Sequence, residues 1–157
     1  MEKISIYSLT TIGLLFFSGC NKNPVPTDEQ VLKNINHALL VAQQQSKQME
    51  PNVNDSLFPR TVLKEKVKFV NCYDWTSGFY PASLWYLYQY SGDTFFINAA
   101  KKHTAFLEPL KHFKGTHDLG FMIYCPYGNG LNITGNSTYQ QVILEGSTPT
   151  CSFSCLS

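Results

Sequence analysis

Pro81-Ala82-Ser83-Leu84-Trp85-Tyr86-Leu87-Tyr88-Gln89-Tyr90-Ser91-Gly92-Asp93-Thr94-Phe95-Phe96 is one helix running into the next. Pro81 suits a first helical turn, where its missing N–H would have had no partner anyway. Leu84, Trp85, Leu87 and Tyr88 supply the apolar side, and Ser91-Gly92 brings the helix to a C-terminal glycine. Asp93 or Thr94 then caps a second helix, in which Phe95, Ala99, His103, Phe106 and Leu110 keep a 3.6-residue period until Pro109 and Gly115 close it. Upstream, Thr27-Asp28-Glu29-Gln30 is a capping box, continued by Val31, Ile35, Ala38, Leu39, Ala42 and Met49 at helical spacing and broken before Pro51. Residues 51–74 look loop-like, with one short β-compatible run from Val67 to Val70. Downstream, Gly128-Asn129-Gly130 marks a loop, and Asn136-Ser137 caps a further helix through Val142-Ile143-Leu144. No convincing alternating strands occur. The predicted class is all-α, built of helical hairpins joined by compact loops.

The composition narrows the functions open to such a chain. Its 157 residues allow one ordinary domain, and 12 Lys+Arg against 11 Asp+Glu leave no basic excess for phosphates, which excludes nucleic acid as an obvious partner. With 43% hydrophobic, 15% charged and 14% aromatic residues the chain is not of the disordered type. The aromatics crowd between Phe69 and Phe96, where they either fill a core or line a pocket.

The first 20 residues are an address. Met1-Glu2-Lys3 precedes Ile12-Gly13-Leu14-Leu15-Phe16-Phe17 and the small residues Ser18-Gly19 before Cys20. This is a secretory signal peptide, too short to span a bilayer, and it resembles the bacterial lipobox in which the Cys is lipidated. Phe17, where a smaller aliphatic is usual, departs from that pattern. The expectation is a lipid anchor at Cys20, a tether over residues 21–26, and residence in the bacterial envelope, periplasmic or on the outer membrane. Cys72, Cys125, Cys151 and Cys155 form no CxxC pair and no zinc spacing, so no metal is expected, and free thiols are favoured for Cys72 and Cys125. Residues 146–157 carry no charge and lose the helical period, which suggests either a floppy terminus or a tail from a shifted reading frame.

Two blocks carry chemistry. In Thr116-His117-Asp118-Leu119-Gly120-Phe121 a His–Asp pair sits at a loop-to-helix junction, where Asp118 is either an N-cap or an acid. In Asp74-Trp75-Thr76-Ser77-Gly78-Phe79-Tyr80-Pro81, Trp75 and Phe79 are either core or a platform for a sugar ring. Together with Leu84 to Asp93, these blocks resemble glycoside hydrolase family 88, the unsaturated glucuronyl hydrolases, over about Leu57 to Leu144. The unsaturated rhamnogalacturonyl hydrolases are the close competitor, but the His-Asp-Leu-Gly-Phe string fits the glucuronyl group better.

The resemblance implies an α/α toroid of six helical hairpins, of which residues 27–145 would form only the N-terminal part. Its implied substrates are lyase-generated oligosaccharides, glycosaminoglycan-derived, ending in a 4,5-unsaturated uronic acid. The implied chemistry, with no cofactor, is hydration of the vinyl ether: a carboxyl group protonates the double bond and activates water, and the hemiketal collapses. On this resemblance Asp118 is the essential Asp of the string, His117 shapes the pocket, and Trp75 and Phe79 pack on the unsaturated ring. The family's second essential Asp lies in a segment with no counterpart here. The expectation is therefore a truncated and inactive hydrolase, with a non-catalytic sugar-binding lipoprotein or an unexpressed gene remnant as the alternatives.

Overall fold

The computed structural model describes residues 26–54 and 56–148. The expected signal peptide with Cys20, nearly all of the expected tether, and Cys151 and Cys155 lie outside the described residues. So does the tail beyond residue 148.

Helix α1 (Asp28–Met49) starts as its sequence dictates. The Gln30 amide donates to Thr27 Oγ1 at 3.3 Å and the Thr27 amide to Gln30 Oε1 at 3.0 Å, a reciprocal capping box. None of its residues is fully buried, and only its Leu39 and Ala42 pack against a core cluster. Polar contacts tie it down instead: Lys47 to Asp93 at 2.6 Å, Tyr90 to Asn36 at 3.1 Å, and a knot around Glu50 just past its end. The Glu50 carboxylate accepts from Tyr80 Oη at 2.9 Å, meets His103 Nε2 at 2.9 Å, and lies 3.6 Å from Lys102. Glu50 opens a 3-10 turn that Pro51 continues to Asn52.

Helices α2 (Phe79–Ser91) and α3 (Thr94–Ala105) form the expected hairpin. Gly92 closes α2 with φ +68°, its amide donating to Tyr88 O at 2.8 Å, and Asp93 Oδ1 accepts from the Phe95 amide at 2.9 Å to cap α3. Leu84, Trp85, Leu87, Phe96, Ala99 and Ala100 lock the two helices together, and the buried Trp85 indole donates to Thr104 Oγ1 at 3.1 Å. Pro109 falls in a 3-10 turn, Glu108–His112, so α3 ends before Leu110 rather than at it.

Two expectations fail. The Gly128-Asn129-Gly130 run lies inside helix α4 (Cys125–Thr134) and is no loop. Gly130 answers a packing demand: a Cβ there would stand 2.6 Å from the Tyr139 ring and 3.0 Å from Trp85. Residues 58–70 are likewise an antiparallel hairpin, β1 (Phe58–Leu63) with β2 (Lys66–Val70). Its two-residue turn, Lys64-Glu65, has positive φ at both positions (48° and 63°), the geometry for which Asn-Gly is the usual sequence signal. Helix α5 (Ser137–Ser147), capped by Asn136 as expected, runs two residues past Glu145. It packs Val142 into a second core with Phe58, Leu107, Leu110, Met122, Ile123 and Tyr127. Cys72 and Cys125 are free thiols, both made harder to ionise by burial.

Candidate active site

A tight turn presents Trp75. The Asp74 carboxylate accepts from the Thr76 amide at 3.0 Å and from Thr76 Oγ1 at 2.6 Å, while the Asp74 carbonyl accepts from the Ser77 amide at 3.0 Å. Buried Ser77 donates to Cys72 O at 2.8 Å, pinning the turn to the end of β2. From the other side, Arg60 Nη1 reaches Asp74 Oδ2 at 2.9 Å. Partial burial works to raise the Asp74 pKa. The Thr76 hydrogen bonds and the charges of Arg60 and Lys68 outweigh it and hold the carboxyl below its ordinary value.

Gly78 joins the two sequence blocks. A Cβ there would lie 2.2 Å from the Phe121 carbonyl oxygen, 2.8 Å from the Met122 oxygen and 2.9 Å from Met122 Cα. Only glycine lets the start of α2 lie directly on this stretch of backbone. The stretch is a single turn of π-helix, Gly120–Tyr124, inserted ahead of α4, a departure from α geometry that recurs at functional sites. Asp118 sets it up. Its amide donates to Thr116 Oγ1 at 3.0 Å, and its carbonyl accepts from the Phe121 and Met122 amides at 2.9 and 3.3 Å.

What results is a wall of three half-exposed rings. Trp75 and Phe79 meet edge to face with centroids 5.8 Å apart, and Phe79 meets Phe121 at 5.8 Å and 51°. The three are 44%, 39% and 49% exposed, unlike the sealed aromatics Trp85 and Phe96. Beside Phe121 in sequence, the Asp118 carboxyl lies 3.5 Å from His117 Nε2, with Asp118 one-quarter and His117 95% exposed. Flanking Asp74 is an open cleft of about 510 Å³ lined by Leu57, Phe69, Val70, Asn71, Tyr73 and Asp74.

Of the residues singled out in the sequence, Trp75 and Phe79 therefore touch, and the Asp118 turn is locked to them through Gly78. His117 is exposed to solvent and pairs with Asp118 at 3.5 Å. Phe121, the third ring, was quoted in the string without a role; its spacing of three from Asp118 was the available signal. Arg60 gave no signal, because its partner lies 14 residues away across a hairpin. Among the described residues no group of three or more His, Cys, Asp and Glu could hold a metal ion.

No family model matches the chain. An unsaturated glucuronyl hydrolase of Formosa agariphila is 32% identical over 149 residues, covering 92% of this chain and 37% of that protein. A crystal structure of an unsaturated glucuronyl hydrolase specific for heparin superposes with a TM-score of 0.62 at 38% identity, covering 65% of this chain and 28% of that one. The chain is thus related to unsaturated glucuronyl hydrolases and spans little more than a third of the curated relative's length. Its helical hairpins are those of a partial α/α toroid, with the β1–β2 hairpin as a small addition.

Proposed function

We propose that residues 27–145 form the sugar-stacking side of an unsaturated glucuronyl hydrolase. It would act on oligosaccharides ending in a 4,5-unsaturated uronic acid, of the heparin type for which the solved relative is specific. The observation that carries this reading is the exposed Trp75–Phe79–Phe121 wall, held to the Asp118 turn by the Gly78 contact. Exposed rings fixed by backbone packing present flat faces to a sugar at little entropic cost, and a nearby carboxyl can act on the ring they hold.

Vinyl-ether hydration needs a proton delivered to carbon and a water deprotonated beside it. A carboxyl suits both steps when its pKa is held up, and a second carboxyl nearby is one way to hold it. The Asp118 carboxyl faces His117 Nε2 at 3.5 Å. Neither of two other carboxyls stands in. Glu145 is bound by Lys111 at 3.0 Å and Gln141 at 2.9 Å, which hold it below its ordinary pKa, and Asp74 is held low by Thr76 and Arg60. On this reading the described residues bind the unsaturated sugar without turning it over. Anchoring through a lipid on Cys20 would place that binding at the envelope, and Cys20→Ser should release the protein from the membrane fraction.

The test uses an unsaturated disaccharide from heparin lyase digestion. Expected are protection of Trp75 from acrylamide quenching and no loss of the double bond's ultraviolet absorbance. Absorbance loss abolished by Asp118→Asn would reveal a second acid within these residues. Absence of any protection would remove the sugar-binding reading. Protection by a pectin-derived unsaturated disaccharide alone would favour the rhamnogalacturonyl alternative.

A further inference from the structure

The β1–β2 ladder slips by one residue at Arg60. Phe58 pairs with Val70 and Pro59 with Phe69, but the next pair is Thr61 with Lys68, leaving Arg60 as the extra residue of a bulge. A bulge breaks the alternation of faces and re-aims the side chain it carries. Here that side chain ends at Asp74, Nη1 to Oδ2 at 2.9 Å, and the other oxygen of the same carboxylate holds Thr76 on the far side of Trp75. The two carboxylate oxygens thus do different jobs, one tying the turn to the hairpin and the other closing the turn across the Trp75 backbone. Lys68, opposite the bulge, adds its charge to the same carboxylate. The pair is partly shielded, at 34% and 16% side-chain exposure, so it is less screened than a free surface ion pair.

From this geometry we infer that Arg60 is a positioning residue which, acting through Asp74, fixes the orientation of Trp75 as one wall of the sugar platform. The inference builds on the sugar-binding reading above but is testable without sugar. The depressed Asp74 pKa agrees with it: the carboxyl keeps its charge, and the latch stays closed, to lower pH than an ordinary aspartate would allow.

The chain has two tryptophans, and Trp85 is sealed in the core, so a Trp75→Phe chain supplies the background to subtract from the Trp75 signal. In the wild type, time-resolved anisotropy should show a Trp75 indole moving with the whole protein. Arg60→Ala should add a sub-nanosecond component and raise the acrylamide quenching constant about twofold, with far-ultraviolet circular dichroism unchanged. Asp74→Asn, which keeps an oxygen for Thr76 but loses the charge, should do the same. The double variant should be no worse than either single one, because the two residues act as a unit. Arg60→Lys should restore most of the rigidity. With the lyase-derived disaccharide, Arg60→Ala should weaken protection about tenfold. An unchanged Trp75 mobility in Arg60→Ala overturns the inference, and does so even if sugar affinity falls, since that pattern would mean direct contact of Arg60 with the sugar. Increased mobility in a chain that never binds sugar would support the positioning role while removing the sugar-binding reading.

Discussion

At the scale of single residues, the decisive position is Gly78, and its constraint is steric, not conformational. Its backbone is ordinary, but the space a Cβ needs is filled by carbonyl oxygens of Phe121 and Met122, which belong to a hydrogen-bonded turn and cannot swing aside as a side-chain tip could. Gly78→Ala should therefore push α2 away from the π-helical turn and separate Phe79 from Phe121. The expected cost is about 3 kcal/mol, the upper end for overpacking, read as a lowered midpoint in circular dichroism melts and a loss of sugar protection at Trp75. A variant melting with the wild type would show that the two blocks are not held by this contact. The sequence displayed Asp118, Trp75 and Phe79 plainly, because each sits in a short string with strong local features. It hid Gly78's role, since the atoms excluding a Cβ lie more than forty residues away, and it hid Arg60 because a bulge has no signature in a chain this short of strand signals.

At the scale of elements, glycine again decides, with opposite signs at two neighbouring sites. Gly128 and Gly130 both lie within α4, where alanine would be better by about 1 kcal/mol on propensity alone. A Cβ on Gly128 would meet the Tyr124 ring at 3.3 Å, and that ring is exposed and can yield. A Cβ on Gly130 would press Tyr139 at 2.6 Å and Trp85 at 3.0 Å, and the indole is fully buried, its N–H committed to Thr104. Gly128→Ala should accordingly raise stability by up to about 1 kcal/mol, and Gly130→Ala should lower it by about 1–2 kcal/mol, both by urea titration. Equal effects in the two variants would contradict this packing account. The same glycines give this stretch the composition of a turn, and tertiary contact explains only Gly130 in the helix. Three N-caps were legible: Thr27 and Asn136 hold the amides their spacing assigns them, and of the pair Asp93 and Thr94 it is Asp93 that caps α3. The Lys64-Glu65 turn was not, for it adopts left-handed geometry with two residues that rarely choose it.

At the scale of the whole molecule, two cores exist but the outer helices are poorly covered. Helix α1 turns Val31, Leu32, Ile35 and Leu40 to solvent, and Leu144 of α5 and Tyr124 are exposed as well. Of its polar attachments to the body, Lys47–Asp93 and Asn36–Tyr90 are exposed and contribute little each, which leaves most of the polar hold to the Glu50 knot, where His103 is fully buried. In stacked helical hairpins the apolar side of each unit is normally buried by its neighbours, and this chain spans 37% of its relative's length. The described residues should thus associate through α1 at micromolar concentration, since apolar faces beyond a few hundred Å² seldom stay free in water. Leu32→Glu with Leu40→Gln should then shift the protein towards monomer without lowering its melting midpoint, because neither side chain contributes to a core. Light scattering coupled to gel filtration reads the outcome. A sharp monomeric peak from the unsubstituted chain, with a cooperative melt, would mean that α1's exposed leucines are tolerated singly and that the body is self-sufficient. Association that survives both substitutions would instead move the sticky surface to Leu144 and Tyr124, on the side where α5 packs beside the π-helical turn and the candidate site begins.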